Sequence, residues 1–347
     1  MRPKLKPLNE QTIVVTGASS GIGLTIAKRA AAAGARVMLS SRNEAALREA
    51  CEQIRAQGGE ADYCVADVGV RDDVRRLTET AIERFGGFDT WVNDAGIGVY
   101  ARLEEISDED HERLFQTNYW GVVYGSTEAL KHLKSRGGAL INIGSIASEM
   151  PSPLLSAYAA SKHAVKGFTD SLRQELLHEK APVSVTLIKP SGINSPFGEH
   201  AKNYMVEASQ VPPPVYSPEL VADAVLHAAE HPTRMMTVGG AGRMMTAANH
   251  MAPGLSDQLF SFLFFKLAKG GERRNGPDNL HKAGEDGQQY GDQRFMRRGS
   301  MYTAMQTHPG ATLGLAVLGG AATVGVAAAM ARRNGRRYAV REAGIHH

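Results

Sequence analysis

From residue 12 to about residue 240 the chain alternates short apolar runs with longer stretches of helical period. Residues 12–16 (TIVVT), 36–40 (RVMLS), 61–65, 90–93, 139–143, 183–188 and 235–238 have the length and makeup of buried strands. Between them, residues 21–34, 43–57, 71–85, 107–133 and a stretch ending near 179 read as helices, with Gly34 placed to stop the first in a left-handed cap. Continuous rather than alternating apolar runs suit a parallel sheet covered on both faces. The pattern predicts an α/β fold, a doubly wound parallel sheet in three layers.

Past residue 240 the pattern changes, which predicts five regions. Residues 1–240 form the main α/β domain. Residues 241–269 form an apolar docking segment, whose Leu255, Leu259, Phe260, Phe262, Phe264 and Leu267 cover more than one helical stripe. Residues 270–308, rich in Gly, Arg, Gln and Asp without a period, read as a flexible linker. Residues 309–331 are an apolar Ala/Gly-rich helix, and 332–347 a basic tail. Residues 310–331 carry no charge and are long enough to span a hydrocarbon core of roughly 30 Å, with Arg332, Arg333, Arg336 and Arg337 directly after them. The small-residue pairs Ala321/Gly325 and Gly325/Ala329 suit close packing in lipid. Ala and Gly contribute little hydrophobicity, however. The arginines place the C-terminus inside, where an N-terminal domain without a signal must also lie, and one span cannot satisfy both. The expectation is membrane contact through 310–331, against the alternative of a small-residue helix packed on protein.

Composition adds bounds rather than detail. The 347 residues are 43% hydrophobic and 22% charged, ample for a core. A net charge of +3 gives no general nucleic-acid role. Cys51 and Cys64 are too few to staple a chain of this size and have no metal-site spacing, so no metal is expected. No apolar stretch precedes the first strand, which predicts no signal peptide and a cytoplasmic main domain.

Two stretches carry chemistry. Thr16, Gly17, Ser19, Ser20, Gly21, Ile22 and Gly23 lie between a strand and a helix. Glycines here let the backbone turn sharply, approach a pyrophosphate and pack helix on strand, as in Rossmann-type dinucleotide folds. The helix N-terminus offers N–H groups to the anion. Ser41 and Arg42 end the second strand, where a carboxylate often binds the ribose of the unphosphorylated cofactor. None stands here, and Arg42 can pair with a 2′-phosphate, so NADP is expected over NAD.

The second stretch is Tyr158-Ala-Ala-Ser-Lys162, thirteen residues after Ser145. Residues four apart share a helix face, so Lys162 projects beside Tyr158. A nearby ammonium favours the phenolate, which brings a phenol of ordinary pKa about 10 towards use as a general acid–base. Ser145 ends a strand, where open α/β sheets bind ligands, and its hydroxyl can polarise a carbonyl. His111, His132, His163 and His178 lack metal-ligand spacing and read as packed or solvated.

On these residues the chain resembles the classical short-chain dehydrogenase/reductase family over about residues 8–240. Asn93-Asp94-Ala95-Gly96 is similar to its Asn-Asn-Ala-Gly motif, with Asp94 a departure. The resemblance implies that Ser145, Tyr158 and Lys162 are catalytic, that Asn118 holds a water in the proton relay, and that Lys162 also binds the nicotinamide ribose. It further implies that Asp67 and Val68 contact the adenine and that Pro190, Ile193 and Ser195 lie near the carboxamide. Ser191 replaces the family's glycine there, and Ser195 its usual threonine. Dimers or tetramers, a homo-oligomer in either case, are implied too.

The expected function is hydride transfer between NADP(H) and a small-molecule carbonyl or secondary alcohol. Pro190 to Pro214 is read as a lid without a charge cluster, which favours an apolar substrate. The alternative is a non-catalytic NADP-binding sensor or membrane-tethered module; the intact Ser145, Tyr158 and Lys162 set argues against it, since a binder needs no acid.

Overall fold

The computed structural model describes residues 3–272, 278–293 and 295–307. A central sheet is built from β1 (Thr12–Thr16), β2 (Arg36–Ser41), β3 (Glu60–Val65), β4 (Thr90–Asn93), β6 (Gly138–Ile143), β7 (Val183–Pro190) and β10 (Met235–Val238). Short strands outside it include β5 (Val99–Tyr100), β8 (Lys202–Asn203) and β9 (Glu207–Ser209). The sheet has seven strands in the order β10-β7-β6-β4-β1-β2-β3, and each pairing is parallel. Every residue of β1, β4, β6 and β7 is buried, so the continuous apolar runs reflect helices on both faces.

One face packs α1 (Gly21–Ala32), α2 (Glu44–Ala56) and α8 (Pro218–Glu230) around Ile13, Leu24, Leu47 and Val225. The other packs α3 (Arg71–Phe85), α5 (Gly121–Arg136) and α6 (Ser156–His178) around Val14, Leu77, Trp91 and Leu133. Strand order reverses between β1 and β4, which opens a crevice at the carboxyl ends of the strands.

The run expected as one helix over 107–133 is broken. It comprises α4 (Asp108–Phe115), a π-helical turn (Gln116–Trp120) and α5. A π turn adds a residue to the helical circuit and re-aims the side chains it carries, here Asn118.

After β7 come α7 (Phe197–His200), α9 (Gly240–Met251), α10 (Pro253–Leu267), β11 (Lys269–Glu272) and α11 (Met301–Thr307). In the expected docking segment, Phe260 and Phe264 of α10 are buried, while Leu255, Leu259 and Phe262 are exposed. The compact unit extends to Thr303, beyond the expected limit of 240. Residues 278–293, expected as flexible linker, lie against the sheet's carboxyl edge, with Leu280 fully buried. Many of their contacts run through backbone groups, which leave no mark on composition. From residue 304 the chain forms a second unit, of which only the end of α11 is described. The expected apolar helix of 309–331 and the basic tail lie outside the described residues. Among the described residues no helix is long and apolar enough to cross a membrane.

Candidate active site

The turn after β1 takes its shape from two positive-φ glycines, Gly17 at 73° and Gly21 at 54°. Gly23 is glycine for a different reason, since a Cβ there would stand 2.2 Å from the Gly17 carbonyl oxygen. Thr16 lies below the turn, where its hydroxyl accepts from the amides of Asp94 (3.1 Å) and Ala95 (3.3 Å) and so joins β1 to the β4 loop. Ser20, the residue before α1, provides no side-chain cap. Of the first amides of that helix, Gly21 donates to the Gln288 carbonyl (2.8 Å) and Gly23 to Asp94, with Ile22 between them lining the crevice. A helix N-terminus behind a glycine turn fits the pyrophosphate of a dinucleotide.

A single cleft is lined by Gly17, Ser19, Ser20, Gly21 and Ile22 at one end and by Ser145, Tyr158 and Lys162 at the other. Ala95, Gly96, Pro190, Ile193 and Ser195 line it between these ends, and Arg42, Asp67 and Val68 line its outer part. Asn93 belongs elsewhere. Its amide group accepts from Trp91 Nε1 (2.8 Å) and donates to Asn142 Oδ1 (2.8 Å), inside a buried polar network beneath the cleft. Thr16, Gly23 and Asn118 likewise shape the cleft from behind its wall.

Ser145 follows β6 and caps a short helical turn, its Oγ accepting from the Ala147 amide at 3.1 Å. The Ser145 side chain stands near the Tyr158 hydroxyl and favours its phenolate. Burial pushes Tyr158 up to about 12; Ser145 opposes that and the charge of Asp94 adds to it. Lys162 is 4% exposed, donates to the Ile143 carbonyl (2.9 Å), and is pushed down to about 8 by burial, against the charge of Asp94. Asp94 is pushed up to about 7 by burial, held back by Lys162 and by the Gly23 amide. The expected lowering of the phenol by Lys162 is not seen here: burial and Asp94 raise it, only Ser145 lowers it, and Asp94 acts on Tyr158 and Lys162 alike.

Asn118 is fully buried. Its Oδ1 accepts from the Ile97 amide (2.9 Å), and its Nδ2 donates to the Ile97 carbonyl (3.0 Å) and to Ser161 Oγ (3.2 Å). Asn118 Oδ1 and Lys162 Nζ both stand 3.6 Å from where a Cβ on Gly96 would be. Ser191, in place of a glycine, donates its hydroxyl to the Val238 carbonyl at 2.7 Å, tying the end of β7 to β10.

Arg42 is half-buried and gives hydrogen bonds to the carbonyls of Asn279, Leu280 (3.2 Å) and Lys282 (3.4 Å). A guanidinium has five N–H donors, so this arrangement leaves two for a ligand. Asp67 accepts from Arg113 at 2.5 Å and from the Gly69 amide at 2.9 Å. Sequence reasoning missed the tail residues Asn279, Ala283, Gly284 and Asp286, which complete this outer part of the cleft, and Arg113, which holds Asp67 there. The inner end, where Leu155, Phe197, Pro212, Met245 and Phe264 gather, is apolar.

A family model described as short chain dehydrogenase matches residues 11–204. The chain is 42% identical over 313 residues to the uncharacterized oxidoreductase YxnA of Bacillus subtilis, covering 88% of each chain. It is 34% identical over 273 residues to a fatty acyl-CoA reductase of Acinetobacter baylyi, covering 76% of this chain and 89% of that one. Among solved structures, an alcohol dehydrogenase of Thermococcus sibiricus complexed with 5-hydroxy-NADP matches with a TM-score of 0.58 at 27% identity, covering 65% of this chain and 94% of that one. A short chain dehydrogenase/reductase of Burkholderia phymatum in complex with NAD shares the fold, with a TM-score of 0.66 at 24% identity over 72% of this chain and 96% of its own.

Proposed function

The chain belongs to the short chain dehydrogenase family, and from that premise we propose that it transfers a hydride between NADP(H) and the carbonyl or secondary alcohol of an apolar small molecule. The observation that carries this reading is that Ser145 and Tyr158 line the same cleft as the glycine turn, with Lys162 Nζ 5.7 Å from the centroid of the phenol ring. When bound, the nicotinamide supplies or takes the hydride.

The residues of the chain do the rest. Gly17 and Ile22 would hold the pyrophosphate at the N-terminus of α1, with Gly21 shaping the turn, and Asp67, Val68, Ala95 and Gly96 would flank the adenosine half. Ser145 holds the substrate oxygen in line with Tyr158. Tyr158 gives that oxygen its proton in reduction and takes it back in oxidation; its high pKa keeps the phenol loaded for reduction. Lys162 supplies the neighbouring positive charge and binds the ribose, and Asn118 stands behind it as the link of the relay towards water. NADP is preferred because Arg42 keeps donors for a 2′-phosphate and no carboxylate ends β2. The apolar inner end favours a lipid-like or steroid-like substrate, in keeping with the similarity to a fatty acyl-CoA reductase.

A screen of NADPH oxidation with long-chain aldehydes, aliphatic ketones and steroid ketones tests the reading. Turnover is expected on at least one of these classes. Tight NADP binding with no turnover on any carbonyl or alcohol would instead favour a cofactor sensor.

A further inference from the structure

Residues 278–293 cross the mouth of the cleft as a strap bonded on both sides. On the side of the phosphate turn, the Gly287 amide donates to the Ser19 carbonyl (2.9 Å), the Gly21 amide donates to the Gln288 carbonyl (2.8 Å), and Gln289 Nε2 donates to Thr25 Oγ1 (3.1 Å). On the side of the lid, the Asn279 amide donates to the His200 carbonyl (2.9 Å), the Asp292 amide to Glu199 Oε1 (2.8 Å), and the Gln293 amide to Asn194 Oδ1 (3.3 Å). The carboxylate of Asp286 stands 3.9 Å from His200 Nδ1, and both residues line the cleft. The strap therefore joins the phosphate turn to the substrate lid over the space between them.

One end of the strap is anchored in the core. Leu280 is 0% exposed and packs with Ile97, Leu114 and Ala157. Its carbonyl accepts from both Arg42 Nη1 (3.2 Å) and Arg113 Nε (3.0 Å). The cleft persists beneath, with Asn279, Ala283, Gly284 and Asp286 facing the same space as Arg42, Asp67 and Val68.

We propose that residues 278–293 are the outer wall of the dinucleotide site, closing over the cofactor's adenosine and pyrophosphate, and that cofactor exchange requires this wall to open with Leu280 as its anchor. The proposal rests on the reading that a nicotinamide dinucleotide fills the cleft. A molecule of that length cannot leave while the strap is bonded to both the phosphate turn and the lid. Opening the strap is then part of every exchange, and lid motions of this kind commonly limit turnover. Because the strap bonds to His200, Glu199 and Asn194, its closure also fixes the lid that shapes the substrate end.

The test uses the full chain with NADPH as the probe. Hydrogen exchange at the amides of residues 283–289 is expected to slow on saturation with NADPH. In a displacement experiment, the dissociation rate of NADPH is expected to rise about tenfold or more in Leu280→Ser, since loss of closure appears mainly in the off-rate. Exchange at 283–289 that is unchanged or faster with NADPH bound would overturn the wall, the faster case marking the strap as a competitor of the cofactor. An unchanged off-rate in a folded Leu280→Ser would overturn the anchor. If that variant fails to fold, the exchange measurement on the unaltered chain decides alone. Absence of any NADPH or NADH binding would overturn the dinucleotide reading itself.

Discussion

Lys162 Nζ lies 5.7 Å from the centroid of the Tyr158 ring while it donates to the Ile143 carbonyl. The ammonium is thus held by the last residue of β6 and does not bond to the phenol itself. Tyr158→Phe keeps the ring and its packing against Phe197 while removing the proton. Turnover is expected to fall by about 10²–10⁴, with the NADPH dissociation constant nearly unchanged. Turnover like that of the unaltered chain, measured by NADPH oxidation, would remove Tyr158 from the mechanism.

Asp94 gives the same cluster a pH signature. Reduction needs Tyr158 protonated, which its pKa near 12 secures across the working range, and Lys162 charged, which holds only below about 8. Reductive kcat/KM is therefore expected to fall as pH rises through 8. The Asp94 carboxylate raises the pKa of Lys162 and of Tyr158 alike. In Asp94→Asn both should drop, which moves the alkaline limb of reduction to lower pH. The amide oxygen can still accept from Gly23, so the turn should survive the change. Superimposable pH profiles for the two proteins would separate Asp94 from the cluster.

Most of the site was legible because its signals are local. The glycine turn, Ser145, and the four-residue spacing of Tyr158 and Lys162 are fixed by single elements whose period can be read directly. The break at Gln116–Trp120 was not, because a π turn leaves the apolar pattern of α4 and α5 continuous to within one residue. The strap was missed for a stronger reason. Arg42 and Leu280 are 238 residues apart, and their bond ends on a backbone carbonyl that any residue type supplies. The only side-chain signal was Leu280 itself, a lone leucine in the polar run 278–293.

Arg42 offers a direct test of cofactor choice. A charge-assisted bond to a phosphate contributes about 1.5–3 kcal/mol, or roughly 10- to 100-fold in affinity. Arg42→Ala should weaken NADPH by that factor and NADH far less. The substitution also removes the hydrogen bonds to Asn279 and Leu280, so any loosening of the strap would affect both cofactors equally. The ratio of the two dissociation constants isolates the phosphate contribution. Equal weakening would sink the NADP preference.

Asn118 separates two roles that the site combines. Its side chain satisfies both the amide and the carbonyl of Ile97 and reaches Ser161, whose Oγ donates to the Tyr158 carbonyl at 2.7 Å. The π turn thus braces the β4 loop and the helix of Tyr158 through one buried amide. In Asn118→Ala the Ile97 groups stay buried without these partners, a loss of about 1–3 kcal/mol per stranded group. The melting temperature should fall by several degrees together with turnover, as measured by calorimetry and NADPH oxidation. A part in the proton relay adds a second expectation: turnover at temperatures well below melting should still be reduced, with NADPH binding intact. A variant that melts lower yet turns over normally in the cold would leave Asn118 the brace and take the relay away from it.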